Sequence, residues 1–319
     1  MLDFTWKITP DISRLVNEVS ALNLLFTKYY PQPENIASLL RRSILKSAVF
    51  SARIENIPAR LEDPQVHCQL EVQNLVSAYN FIFSSHAPQK LSLSLIRRLH
   101  RLAALKGLST HAGTWRQEPW AIFNSAGIAV YLAPAHFNLP RLMDEYISFI
   151  RSLKEPAPIT AAIAQFAFEK IHPLADGNGR VGRLISAFVL AKSDFSHILE
   201  FEEYTDTHRP LYYQALESGK NCTGFIEFFL TSLVETAKMS LETLKQPPSL
   251  SLQSKLLPRR QELLAIIRDH PLCSFDFLSR RFPAVNPKTL HYDLLQLQKA
   301  GLIVKHGVSR ASVYSSAPS

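Results

Sequence analysis

Twelve consecutive residues, His172-Pro-Leu-Ala-Asp-Gly-Asn-Gly-Arg-Val-Gly-Arg183, constrain the fold of this 319-residue chain more than any other stretch. Upstream, Ile163, Phe166, Ala167 and Ile171 recur at helical spacing, and downstream Leu184, Ile185 and Phe188 continue the theme. Pro173 biases His172 away from the α region, so one helix is expected to stop there. Gly177 and Gly179 permit backbone conformations that other residues resist. A second helix is expected to begin near Arg180. The chain must therefore make a helix, a tight turn and another helix, with a ring, a carboxylate and two guanidinium groups gathered at the turn.

These residue types point to one kind of chemistry. Successive N–H groups in a glycine-rich turn form a concavity for anions, and a helix N-terminus favours phosphate. Arg180 and Arg183 are three apart and share a face. Guanidinium forks match phosphate oxygens. Positive residues at a helix start oppose the macrodipole, so an anionic ligand explains them better than local stability does. Asp176 can hold Mg2+, and His172 supplies a base that works near neutral pH. The set reads as a nucleotide polyphosphate site. It is not a Walker loop, since no Gly-Lys-Ser/Thr follows the glycines. The bland alternative is a tight turn with a capped histidine. Seven specified residues coincide in about one of 10⁹ windows at ~5% usage per residue type, which favours the functional reading.

The segment resembles the Fic motif, His-x-Phe-x-Asp/Glu-Gly-Asn-Gly-Arg-x-x-Arg, with Leu174 where the family usually has Phe. Gly113 to Pro134 is similar to the family's flap segment, and its two apolar runs around Asn124-Ser-Ala-Gly127 read as a hairpin. Tyr212 and Tyr213 resemble a Tyr-Tyr pair near the nucleotide base. The resemblance covers roughly residues 35 to 235. It implies AMP transfer from ATP to a Ser, Thr or Tyr hydroxyl, with His172 as base and Asp176 on Mg2+. Gly177, Asn178 and Gly179 would cradle the phosphates, with Arg180 and Arg183 neutralising the β and γ groups. The flap, through Ile122 and Tyr131, would hold the target by strand addition.

Ser51-Ala-Arg-Ile-Glu55-Asn56 ends a helical run that includes Ile36, Leu39, Leu40 and Ile44; Ser51 and Glu55 share a face, and Asn56 suits a C′ position. Alone this is a helix end. Beside a Fic-like core it resembles the family's inhibitory motif Ser/Thr-x-x-x-Glu-Gly/Asn, in which Glu55 would pair with Arg183. The same Glu supports hydrolysis of AMP-protein in some members, so its direction of action stays open.

Residues 245–257 are rich in Pro and Ser and read as a linker. Beyond it, three helical stretches and two apolar runs around His306-Gly307 look like a winged helix. Asn286 is the expected N-cap of its recognition helix, with Pro287 at N1, Gly301 as stop, and Lys288, Thr289 and His291 near the start. From Lys255 onward there are ten Lys/Arg and four Asp/Glu, a balance of +6 within the chain's +8. That suits double-stranded DNA, with docking or homodimer formation as the alternative use.

The expected fold is mainly α: an N-terminal helical region (1–85) with the inhibitory helix, a helical Fic core with one β-hairpin flap (86–244), the linker, and a small α+β winged-helix domain (258–319). The implied ligands are ATP and Mg2+; the implied partner is a protein substrate bearing a hydroxyl, the chain itself included. No run of about 18 apolar residues exists, so no membrane partner is expected. Met1-Leu-Asp-Phe-Thr-Trp-Lys lacks a basic start before an apolar stretch, and Cys68, Cys222 and Cys273 show no CxxC spacing. A cytoplasmic location follows as the expectation, with export by a signal-less route left open. A de-AMPylating hydrolase using Glu55 and a DNA-binding regulator with a nucleotide-sensing core are the competing readings.

Overall fold

The computed structural model describes residues 2–29, 33–61, 63, 66, 69–104, 111–123, 129–195, 200–245, 256–270, 272–283, 285–307 and 312–317. The tip of the hairpin and most of the linker lie outside them. The protein is mainly helical with two small sheets.

Two helices carry the site. α6 (Ala157–Ile171) is apolar on nearly every face and is buried from Ile159 to Phe168 apart from Thr160. α7 (Asn178–Ala191) packs beside it, with Leu184, Ile185 and Phe188 inward. A helix that is apolar all round belongs at the centre of a domain. The others wrap this pair: α1 (Pro10–Tyr29), α2 (Pro33–Ile54), α3 (Leu70–Phe83), α4 (Leu93–Ala103), α5 (Leu139–Ser152), α8 (Glu202–Thr207), α9 (Arg209–Glu217) and α10 (Thr223–Lys245). α4 shows why such segments are helical. Ser92 caps it by accepting from Leu95 N at 3.2 Å, and Leu95, Ile96, Leu99, His100 and Ala103 form its buried stripe. One apolar core runs from Ile12 to Leu241, so the N-terminal helices and the central pair share it. Thr5 is tied into this body through Lys220 O and Cys222 N, at 3.0 and 2.8 Å.

The hairpin comprises β1 (Ala121–Phe123) and β2 (Ala129–Leu132), antiparallel, with Ala121 opposite Leu132, Ile122 opposite Tyr131 and a bulge between Ile122 and Phe123.

After residue 255 the chain forms α11 (Pro258–Asp269), β3 (Cys273–Ser274), α12 (Phe275–Arg281), α13 (Pro287–Lys299), β4 (Ile303–His306) and β5 (Val313–Ser316). The sheet order is β3-β5-β4, all antiparallel. The two-residue β3 was not legible in the sequence, because so short an edge strand has no periodicity of its own. Asn286 Oδ1 accepts from Lys288 N at 2.9 Å, Pro287 opens α13, and Gly301 at φ +67° stops it. This unit has its own apolar core, from Leu263 to Tyr314. Asp293, buried within it, accepts from Arg259 Nε and Arg260 Nε at 2.6 and 2.8 Å. α11 touches α2, and a cleft of 610 Å³ lies between Ile44, Leu45 and Val76 on one side and Leu272, Phe277 and Val313 on the other. Among the described residues no helix is long and apolar enough to cross a membrane. Cys222 and Cys273 are buried free thiols, and Cys68 lies outside the described residues.

Phe166 joins the N-terminal segment to the centre: its ring meets Phe4 edge-on at 5.8 Å and Phe225 at 5.6 Å, and it is fully buried. Phe166→Ala should lower stability by about 3–5 kcal/mol, seen as a lower denaturant midpoint at unchanged slope.

Candidate active site

The turn between α6 and α7 is built by backbone geometry. His172 ends α6 in the left-handed region at φ +49°, and Gly177 precedes α7 at φ +78°. The bias imposed by Pro173 was met by a left-handed residue, not an extended one. α7 begins at Asn178, two residues before the expected Arg180, because the Asn178 side chain folds back on the loop. Its Oδ1 accepts from Leu174 N at 2.9 Å and its Nδ2 donates to Leu174 O at 2.8 Å. Of the expected phosphate cradle, the Asn178 side chain is thus already used in holding the turn. Leu174 is fully buried beneath it.

His172 is held from three directions. Its Nδ1 lies 3.3 Å from Glu169 O, so Nδ1 carries the proton and Nε2 keeps its lone pair. Its carbonyl accepts from Arg116 Nε at 2.8 Å. Its ring stacks on Trp120, centroid to centroid 3.6 Å at 25°. Burial, followed by the charge of Arg116 against the pull of Glu55 and the bond to Glu169 O, pushes its pKa down to about 4. The imidazole is a neutral base at physiological pH.

Arg183 is almost wholly enclosed, with 1% of its side chain exposed. Nε donates to Ser51 Oγ at 2.9 Å; Nη2 donates to Ser51 O at 3.0 Å and to Glu55 Oε1 at 2.8 Å. Burial opposes its charge, but Glu55, together with Tyr212 and Glu169, outweighs burial and raises its pKa. The Glu55 carboxylate reaches the first turn of α7: a Cβ on Gly179 would stand 2.3 Å from Oε1, so a side chain there would have to push the carboxylate aside. Asn56 follows in the left-handed conformation at φ +61° and accepts from Arg209 Nη1 at 3.1 Å. Arg180 donates instead to Asp176, Nη2 to Oδ2 at 2.8 Å. The two arginines thus hold separate carboxylates. Arg180 Nε and Arg183 Nη1 are buried donors that meet no acceptor among the described residues.

Other expected positions spread further. Tyr212 is buried and its hydroxyl accepts from Gln165 Nε2 at 3.1 Å, whereas the half-exposed Tyr213 donates to Ile54 O at 3.3 Å. Tyr212 therefore belongs to the core beside Gln165, and Tyr213 reaches the end of α2. Tyr131 donates to Lys170 O; the side chain of Ile122 is outside the described residues. On α13, Lys288 is exposed and Thr289 half-buried. His291 is exposed and stacks one face on Phe275 at 3.7 Å with parallel rings.

Four further residues belong to this neighbourhood. Arg116 donates from Nη1 to Glu118 O at 2.8 Å and from Nη2 to Pro134 O, clasping both feet of the hairpin. Trp120 covers His172. His100 is buried facing Asp176 and Arg180, and its Nδ1 accepts from Gly113 N at 3.0 Å; burial and Arg180 hold it at about 4. Glu169 encloses Oε1 against α7, where a Cβ on Gly182 would come within 2.7 Å. Burial, with Glu55 adding and Arg183 opposing, raises it to about 8. A charged residue inside an otherwise apolar stripe is the sequence signal that would have marked Glu169.

The arrangement can bind an anion and remove a proton. Two buried guanidinium groups with spare donors face an uncapped helix N-terminus, which fits a polyphosphate. Among the described residues no cluster of three or more His, Cys, Asp or Glu could hold a metal. Asp176 with 59% of its side chain exposed fits Mg2+, which takes one or two carboxylates and fills its shell with water and phosphate oxygen.

Comparison with known proteins bears on the same region. Residues 90–190 match the Fic/DOC family model. A Fido domain-containing protein of Dictyostelium discoideum is 31% identical over 93 residues, 28% of this chain; the chain spans 62% of that relative's length. A Fic family protein from Desulfovibrio desulfuricans shares the fold over 99% of both chains at a TM-score of 0.66 and 21% identity. Fic-1 from C. elegans does so over 73% of both chains at 0.60 and 17% identity.

The displaced pKa values of His172 and Glu169 act in opposite senses on stability. His172 lies below its ordinary 6.5, so its contribution is lost as pH falls from 6.5 towards 4. Glu169 lies above its ordinary 4.5, so its contribution is full below 4.5 and lost as pH rises towards 8. Glu169→Gln should remove the second loss: the gap in melting temperature between variant and parent should move in the variant's favour from pH 5 to 8. A pH-independent gap would refute the assignment.

Proposed function

We propose that this chain, whose residues 90–190 match the Fic/DOC family model, moves AMP from ATP to a Ser, Thr or Tyr hydroxyl of a protein, and that Glu55 restrains it. The observation that carries the reading is the pairing of a neutral, Nε2-available His172 with a buried Arg183 whose anion partner is supplied by the chain itself.

In this reading the target hydroxyl gives its proton to His172 Nε2 as its oxygen attacks the α-phosphorus. The bond from the α-phosphorus to the bridging oxygen breaks and pyrophosphate leaves. The N-terminus of α7, Arg180 and Arg183 offset the charge of the phosphates, where positioning and electrostatics do most of the work. Asp176 would hold Mg2+, which supplies further charge neutralisation of the phosphates. Glu55 places a negative charge where the outer phosphates belong, so the inhibited form has the catalytic base ready but its phosphate grip filled. The one-third exposure of Glu55 also supports a second reading, in which its carboxylate positions a water to hydrolyse AMP-protein.

Labelled ATP separates these readings. His172→Ala should lower label transfer about 10²–10⁴-fold while ATP still binds. Glu55→Gly should raise auto-modification, and Arg183→Ala in that background should cancel the gain, since the two act as a pair. Unchanged or lower transfer in Glu55→Gly, with loss of AMP release from modified protein, would favour the hydrolase.

For the unit after residue 255 we read a winged helix that binds duplex DNA, supported by the α-β-α-α-β-β order and the excess of Lys and Arg. Duplex affinity of the full chain should fall steeply with salt, and Lys288→Ala should weaken it across sequences. Absence of duplex binding at low salt would assign the unit to docking or dimer formation.

A further inference from the structure

We propose that Trp120 is a positioning residue for His172, its indole setting the plane of the imidazole so that the hairpin and the base form one mechanical unit. This rests on the reading of His172 as the base. Trp120 immediately precedes β1, and its carbonyl accepts from Ala133 N at 3.0 Å, so its backbone is locked at the foot of the hairpin. The centroid separation of 3.6 Å at 25° is a close face contact covering one side of the ring. On its other flank the indole meets Tyr131 edge-on at 6.5 Å, and Tyr131 in turn donates to Lys170 O on α6.

His172 needs such support. A non-glycine residue in the left-handed region costs about 1–2 kcal/mol and persists only where its surroundings hold it. Arg116 holds the carbonyl of His172, and Arg116 N also donates to Pro173 O at 2.8 Å. Glu169 O takes the Nδ1 proton. Neither contact fixes the ring against rotation about the Cβ–Cγ bond; the Nδ1 bond, at 3.3 Å, is long. Trp120 closes that freedom, and it also displaces water from one face of the ring. Of the charged groups that act on His172, Arg116 from the segment before β1 is untouched by changes at position 120, and Glu55, just past the end of α2, is absent alike from every Glu55→Gly sample compared. Any movement of His172 titration in a Trp120 variant therefore reports lost cover.

The test uses the full chain carrying Glu55→Gly, with Trp120→Ala, Trp120→Leu and Trp120→Phe. His172 is followed by NMR of its ring Cε1–H through a pH titration, and label transfer from ATP is measured on the same samples. Trp120→Ala should raise the His172 midpoint by more than one pH unit. It should also lower kcat about 10–10²-fold, the scale of a misplaced catalytic group, with the KM for ATP within about twofold. Trp120→Phe, which keeps a flat ring, should stay near the parent in both. A folded Trp120→Ala with an unmoved midpoint overturns the proposal. Should Trp120→Ala not fold, Trp120→Leu decides: a bulky side chain without a flat ring that matches Trp120→Phe in both readouts also overturns it. If His172→Ala keeps full transfer, the base reading fails instead, and the midpoint measurement still judges Trp120 independently of activity.

Discussion

A guanidinium group buried to 1% exposure needs partners, and the demands of Arg183 organise this protein. A charge taken out of water is costly unless paired and hydrogen-bonded. α7 supplies Arg183 from the molecule's centre, and the acceptors come from the end of α2, 128 to 132 residues earlier in the chain. That requirement brings Ser51 and Glu55 over the first turn of α7. It also sets the Glu55 carboxylate against Gly179, where a side chain at that position would displace it from Arg183.

The last two turns of α2 are then fastened in place. Lys46 pairs with Glu200 and Glu203 at 3.0 and 2.5 Å, Ser47 donates to Glu202 at 2.8 Å, and Arg53 pairs with Asp206 at 2.9 Å. Glu202 is fully buried, also accepts from Tyr79, and is raised to about 7 by burial. With so many bonds to α8, lifting α2 from the body would leave several buried polar groups unpaired. Rotation of the Glu55 side chain, one-third exposed at the helix end, is a far cheaper way to free Arg183. The C-terminal unit touches α2 as well, through α11 and the apolar cleft at Ile44 and Leu45, so three parts of the molecule meet on one helix.

Around the turn, the same logic of satisfied backbone groups recurs. Asn178 spends its amide on Leu174, and Arg116 spends its donors on the carbonyls of Glu118, Pro134 and His172. Asn178 thereby holds the turn, and Arg116 sets where the hairpin stands relative to His172, a placement the Trp120 ring completes.

Local rules carried the reading a long way. Helical spacing named the buried faces of α6 and α7, Pro173 and Gly177 marked the turn, Asn56 and Gly301 marked helix ends, and Asn286 marked the start of α13. Each depends on backbone preferences within a few residues, which sequence states directly. The link between Glu55 and Arg183 came from family resemblance, because no spacing rule joins positions so distant. Tertiary structure alone decided the rest. It turned the Asn178 side chain inward, split Arg180 and Arg183 between Asp176 and Glu55, stacked His291 on Phe275, and laid Trp120 across His172. The physical reason is that a side chain's partner is selected by which helices and loops pack together, and the energy of that packing is summed over the whole core, not written in any one segment.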